Sequence, residues 1–80
     1  MSENKVEIYS TATCPFCTAV KDYLDSKAIS YTAYDVAEDR EKRAEMVEKS
    51  GQMGVPVLDI NGTIIVGFER GRINELLGIN

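Results

Sequence analysis

The chain has 80 residues and a formal charge of −4, enough for one small domain with a modest core and no large enclosed active site. Acidic and basic residues are interspersed, so no Lys/Arg cluster is dense enough to track phosphates, which argues against a nucleic-acid partner. No apolar run approaches the ~20 residues of a membrane span, and Met1-Ser2-Glu3-Asn4-Lys5 lacks the apolar stretch of a secretory signal, so a cytoplasmic, monomeric protein is expected.

Residues 5–10 predict a short β-strand. Beyond them Phe16, Val20, Tyr23, Leu24 and Ala28 recur at helical intervals, which predicts an amphipathic helix. Residues 30–36 are rich in β-branched and aromatic side chains and predict a second strand, so the first three elements make a right-handed parallel βαβ unit. A second helix is expected over residues 39–50. Ala44, Met46 and Val47 are its apolar contribution, its charged face is solvated, and Gly51 caps it. Residues 55–60 and 63–66 predict two antiparallel strands joined by an Asn61-Gly62 turn. Gly67 breaks the second of these, and residues 70–77 predict a closing helix that buries Ile73, Leu76 and Leu77, with Gly78 behind it. The order is βαβαββα in a single α/β domain spanning residues 1–80.

Cys14-Pro15-Phe16-Cys17 holds both cysteines of the chain at the junction of the first strand and helix. Cys14 falls at or near the helix N-terminus, where unpaired backbone N–H groups and the positive end of the helix dipole favour an anion, here a thiolate. Pro15 suits the first helical position, where its missing N–H is no loss. Cys17 lies about one turn on and is expected to face inward. A tetrahedral zinc site needs four ligands, and two cysteines without histidine do not supply them unless two chains share the ion or carboxylates help. A pair of inert core thiols would sit in an apolar helix interior, not beside a proline at a helix start. The βαβ context therefore favours a redox pair. Lys21, about a turn beyond Cys17, adds positive potential near the sulfurs or is simply a solvated lysine. Val55-Pro56 reads on residues alone as a proline opening a strand. Gly67-Phe68-Glu69-Arg70 reads as a helix start with Glu69 favourable in its first turn.

Taken together, Val6-Glu7-Ile8-Tyr9-Ser10, Cys14-Pro15-Phe16-Cys17, Gly54-Val55-Pro56-Val57 and Gly67-Phe68-Glu69 resemble a dithiol glutaredoxin across essentially the whole chain. The resemblance implies a thioredoxin-like fold with a four-stranded mixed sheet and helices on both faces. It implies a thiol-disulfide oxidoreductase in which Cys14 attacks and Cys17 resolves, with no tightly bound cofactor and glutathione as co-substrate. It also implies a cis bond at Val55-Pro56, with the Val55 backbone pairing with the substrate's cysteinyl part. For glutathione, the matching positions are Thr11, where the family often has a lysine or arginine, then Phe16 in place of tyrosine, Gln52, and the Gly67, Phe68 and Glu69 segment. Gly67-Phe68 is also similar to NrdH-type redoxins, which draw electrons from thioredoxin reductase. The family's substrates include ribonucleotide reductase and methionine sulfoxide reductase. A further class within the resemblance, an iron–sulfur module in which two chains each offer Cys14 and glutathione completes the ligand set, usually has a single cysteine in the motif.

Overall fold

A computed structural model describes residues 5–78. The elements are β1 (Val6–Ser10), α1 (Pro15–Ser26), β2 (Thr32–Asp35), α2 (Arg40–Ser50), β3 (Val57–Ile60), β4 (Thr63–Val66) and α3 (Arg70–Leu77). They form a four-stranded sheet of order β2-β1-β3-β4, with β1 and β2 parallel and the other two pairs antiparallel. Side chains alternate across it with the strand period of two. Val6 and Ile8 of β1, Leu58 and Ile60 of β3 and Ile65 of β4 face α1 and α3, where they meet Val20, Leu24, Ile73 and Leu77. Tyr9 and Val57 face the other way, onto Met46 of α2. No helix of the described residues is long and apolar enough to cross a membrane.

The β3–β4 turn forms as its sequence demands: Asn61 and Gly62 have φ of 53° and 94°, the pair of positive values that a type I′ hairpin needs. Asp59 Oδ1 accepts the Gly62 N–H at 2.9 Å and pins the turn.

Several expectations require correction. The second strand is shorter than expected, and Val55-Pro56 lies before β3 instead of opening it. The buried face of α1 is Cys17, Val20 and Leu24. Phe16, one residue and about 100° away from Cys17, is 65 % exposed. Ala28 is exposed and outside the helix, with φ of 58°. That left-handed conformation crowds Cβ against the backbone, so Ala28→Gly is expected to stabilise the fold by about 0.5 kcal/mol after glycine's entropy cost, read as a higher urea midpoint. Ala44 points to solvent.

The charged face of α2 is also not simply solvated. Lys49 Nζ donates to Asp59 Oδ2 at 2.7 Å and to the Tyr9 hydroxyl at 2.8 Å, and pairs with Glu45 at 3.2 Å. The Tyr9 hydroxyl donates to Glu45 Oε1 at 2.7 Å. Met46 is the one fully buried side chain among the described residues of α2, so this polar network supplies much of its attachment to the sheet.

Candidate active site

Four chain segments converge on one end of the sheet because the strand directions require it. β1 runs out at Ser10 into the loop that carries Cys14, while Tyr9 pairs with Val57, the first residue of β3, and Val57 pairs with Val66, the last of β4. The residues just outside these termini are therefore neighbours: Val55-Pro56 before β3 and Gly67 after β4. The Gly67 N–H donates to the Pro56 carbonyl at 2.8 Å and ties the two segments together. Val36, following β2, donates to the Ser10 carbonyl at 2.9 Å and closes the same end on its other flank.

Both cysteines are free thiols, Cys14 half-buried and Cys17 buried. Cys14 is the N-cap of α1, with extended backbone and Pro15 following at the first helical position. Its sulfur does the work that a serine or aspartate oxygen does at most caps: the Cys17 N–H donates to Cys14 Sγ at 3.2 Å. Its carbonyl accepts the Thr18 N–H at 3.2 Å and begins the helix. The hydrogen bond holds the Cys14 sulfur at the N-terminus of α1, beside the first turn's backbone amides.

Cys17 has 0 % exposure. Burial pushes its thiol up to about 11, the facing Cys14 sulfur adds to the rise, and the Thr11 backbone amide and the Lys21 charge oppose it. The two sulfurs thus occupy distinct environments, one accessible and capped by an amide, the other buried and protonated. Lys21 lines an open cavity of about 190 Å³ with Ser10, Thr11, Ala12, Ala33, Tyr34 and Asp35 on the β2 flank.

The remaining site residues fall as follows. The Val55-Pro56 bond is cis, with Pro56 buried and Val55 half-buried. Thr11 joins the Cys14 loop directly, its carbonyl accepting the Cys14 N–H at 3.4 Å. Phe16 stands in solvent beside the cysteines. Gln52 is folded back on its own loop, its Oε1 accepting from Gly54 N–H at 2.6 Å and its Nε2 donating to the Gly54 carbonyl at 3.0 Å. A Cβ at Gly54 would lie 2.7 Å from that Oε1, so a side chain there would push the Gln52 amide out of this arrangement. Glu69 is exposed, whereas the Phe68 ring is half-buried and packs on Tyr23 at a centroid distance of 5.8 Å. The turn therefore packs the ring of Phe68 and leaves the carboxylate of Glu69 exposed. The Gln52 brace and the Tyr23 contact have no signal in the sequence, because neither residue has a local pattern that names its partner.

Residues 6–65 match the Glutaredoxin family profile. The chain belongs to the glutaredoxin family, a family of thiol-disulfide oxidoreductases. It is 49 % identical over 72 residues to an uncharacterized glutaredoxin-like 8.6 kDa protein of the rubredoxin operon in Clostridium pasteurianum, covering 90 % of this chain and 96 % of that one. It is 35 % identical over 79 residues to glutaredoxin 3 of Escherichia coli K12, covering 90 % and 95 %. The solved structure of the glutaredoxin-like NrdH-redoxin from Escherichia coli superposes with a TM-score of 0.79 at 25 % identity, covering 90 % of this chain and 93 % of that one. The thioredoxin-like α/β fold expected from the resemblance is the one observed.

Proposed function

We propose that this glutaredoxin is a dithiol electron carrier that reduces protein disulfides and glutathione mixed disulfides in the cytoplasm. The observation that carries the reading is the pairing of a half-buried, amide-capped Cys14 with a fully buried Cys17 behind it. Cys14 thiolate attacks one sulfur of a substrate disulfide, forms a mixed disulfide and releases the other sulfur as thiolate. Cys17 then gives up its proton, attacks the Cys14 sulfur and releases the substrate's second thiol, leaving a Cys14–Cys17 disulfide that holds the two electrons' worth of oxidation. Two thiols of the donor restore the dithiol. Once Cys14 is bonded to substrate it no longer raises Cys17 by charge or hydrogen bond, so the resolving thiol becomes easier to ionise at the step that needs it.

Glutathione is the leading donor, supported by the Phe68 backbone, the exposed Glu69 and the cis Val55-Pro56 segment at the same end of the sheet. Thioredoxin reductase is the second reading. It is favoured by the uncharged Thr11, by a Gln52 amide already occupied within its loop, and by the likeness to NrdH-redoxin, a glutaredoxin-like protein with a thioredoxin-like activity profile. Ribonucleotide reductase and methionine sulfoxide reductase are the substrate enzymes to try first.

The two donors separate in one assay. Oxidised protein is followed with glutathione, glutathione reductase and NADPH, and in parallel with thioredoxin reductase and NADPH. Faster reduction by glutathione is expected, and reduction by the reductase alone would assign the NrdH-type route. Failure with both would overturn the electron-carrier reading with these donors.

A further inference from the structure

We propose that Tyr23 is a positioning residue that holds the Gly67-Phe68-Glu69 turn in place against the helix carrying Cys14, and thereby sets how tightly that turn binds a ligand. The second half of the statement rests on the reading of the turn as a glutathione-binding segment. Tyr23 lies in α1, two turns beyond Pro15, and grips α3 and its entry in three ways. Its hydroxyl donates to Asn74 Oδ1. Its ring packs on Phe68 at 5.8 Å between centroids and a 53° interplanar angle. The Arg70 guanidinium lies over the ring, 5.6 Å from its centroid.

The start of α3 has few polar bonds of its own to fix it, although the Phe68 ring also packs against the apolar cluster beneath α1 and α3. Its N-cap residue, Glu69, makes no side-chain capping bond, so the usual local anchor of a helix start is missing. The buried residues of α3, Ile73 and Leu77, lie one and two turns further along and anchor the body of the helix, not its entry. On the sheet side the turn is held by the Gly67 N–H to the Pro56 carbonyl; on the helix side it is held by Tyr23. With the Phe68 ring held against Tyr23 and the core beside it, Glu69 is left exposed. Tyr23 touches neither cysteine in any of these contacts, so its loss should alter binding and leave the sulfur chemistry alone.

The test compares Tyr23→Leu and Tyr23→Phe with the parent protein by amide hydrogen exchange and by kinetics on a glutathionylated peptide. The Gly67 amide reports the turn directly. In Tyr23→Leu its exchange should rise about tenfold, the scale of losing an aromatic pair and a hydrogen bond, while the sheet amides of Ile8 and Leu58 change less. KM should rise by a similar factor with kcat nearly unchanged. Tyr23→Phe loses only the bond to Asn74 and should fall between the two, which keeps the test usable should the leucine variant fold poorly. A uniform rise in exchange with unchanged KM would mean that Tyr23 is merely part of the core and would overturn the proposal. A selective rise at Gly67 with unchanged KM would support the positioning role and overturn the reading of the turn as a glutathione site.

Discussion

Cys14→Ser is expected to reduce turnover on every disulfide substrate to background, a loss of at least about 1,000-fold, because a serine hydroxyl is not ionised at neutral pH and cannot replace a thiolate. Cys17→Ser should be selective. With a glutathionylated peptide, glutathione itself can displace the mixed disulfide on Cys14, so activity survives; with a protein disulfide the mixed disulfide has no internal resolving thiol and accumulates. Mass spectrometry of the Cys17→Ser protein mixed with substrate would show the trapped adduct. Retained turnover in Cys14→Ser would mean that the nucleophile is misassigned. The elevated Cys17 thiol, near 11 in the dithiol state, adds a pH signature. The resolving step, started from a preformed Cys14 mixed disulfide, should accelerate above pH 7 as the thiolate fraction grows, by up to about tenfold per unit. A rate independent of pH there would show that burial does not limit Cys17.

What the sequence could reveal follows from how far apart the interacting residues are. Asn61-Gly62 dictates its turn by itself, since both residues tolerate positive φ. Pro15 and the two cysteines declare a helix start that a reader can place to within a residue. The apolar spacing of α1 located Val20 and Leu24 in the core, yet it also drew in Phe16 and Ala28. Periodicity does not say where the sheet stops covering the helix, and Ala28 lies beyond the helix end. The charges of α2 read along the chain as a solvated face, whereas in the fold those of Glu45 and Lys49 are paired. Their partners are Glu7 and Tyr9 on β1 and Asp59 on β3, which share a sheet face with α2 only after β3 has paired antiparallel with β1. No window on α2 contains that information. Gln52 illustrates the same limit at short range: its fit to Gly54 depends on a loop geometry that composition does not encode.

Lys49→Met is the structural substitution with the largest expected cost. The ammonium lies 2.7 Å from Asp59 and 3.9 Å from Glu7, whose carboxylate side chains are each only 12 % exposed. Removing it leaves two poorly hydrated negative charges facing each other with no cation between them, while methionine retains most of the packed stem. A loss of about 2–3 kcal/mol is expected, or roughly 10–20 °C in Tm for a domain of this size. Asp59→Asn in the same background should restore part of it, because the amide keeps an oxygen for the Gly62 N–H and removes one uncompensated charge. Equal Tm values for the single and double variants would show that unpaired charge is not the cause. The network also bounds the stable pH range. Hydrogen bonds from Tyr9, Lys42 and Lys49 hold Glu45 down to about 2 from 4.5. That contribution is complete above pH ~4.5 and lost as pH falls towards 2; with the side chain 35 % exposed, solvent screening leaves about 1 kcal/mol of it. Burial, with Glu45 adding and Lys49 opposing, pushes Tyr9 up to about 12 from 10.0, so its contribution is complete below pH 10 and lost as pH climbs through 12. Glu45→Gln should flatten the acid limb of a urea-midpoint profile, and Tyr9→Phe the alkaline limb. A profile whose two limbs ignored both substitutions would place the titrating groups elsewhere in the molecule.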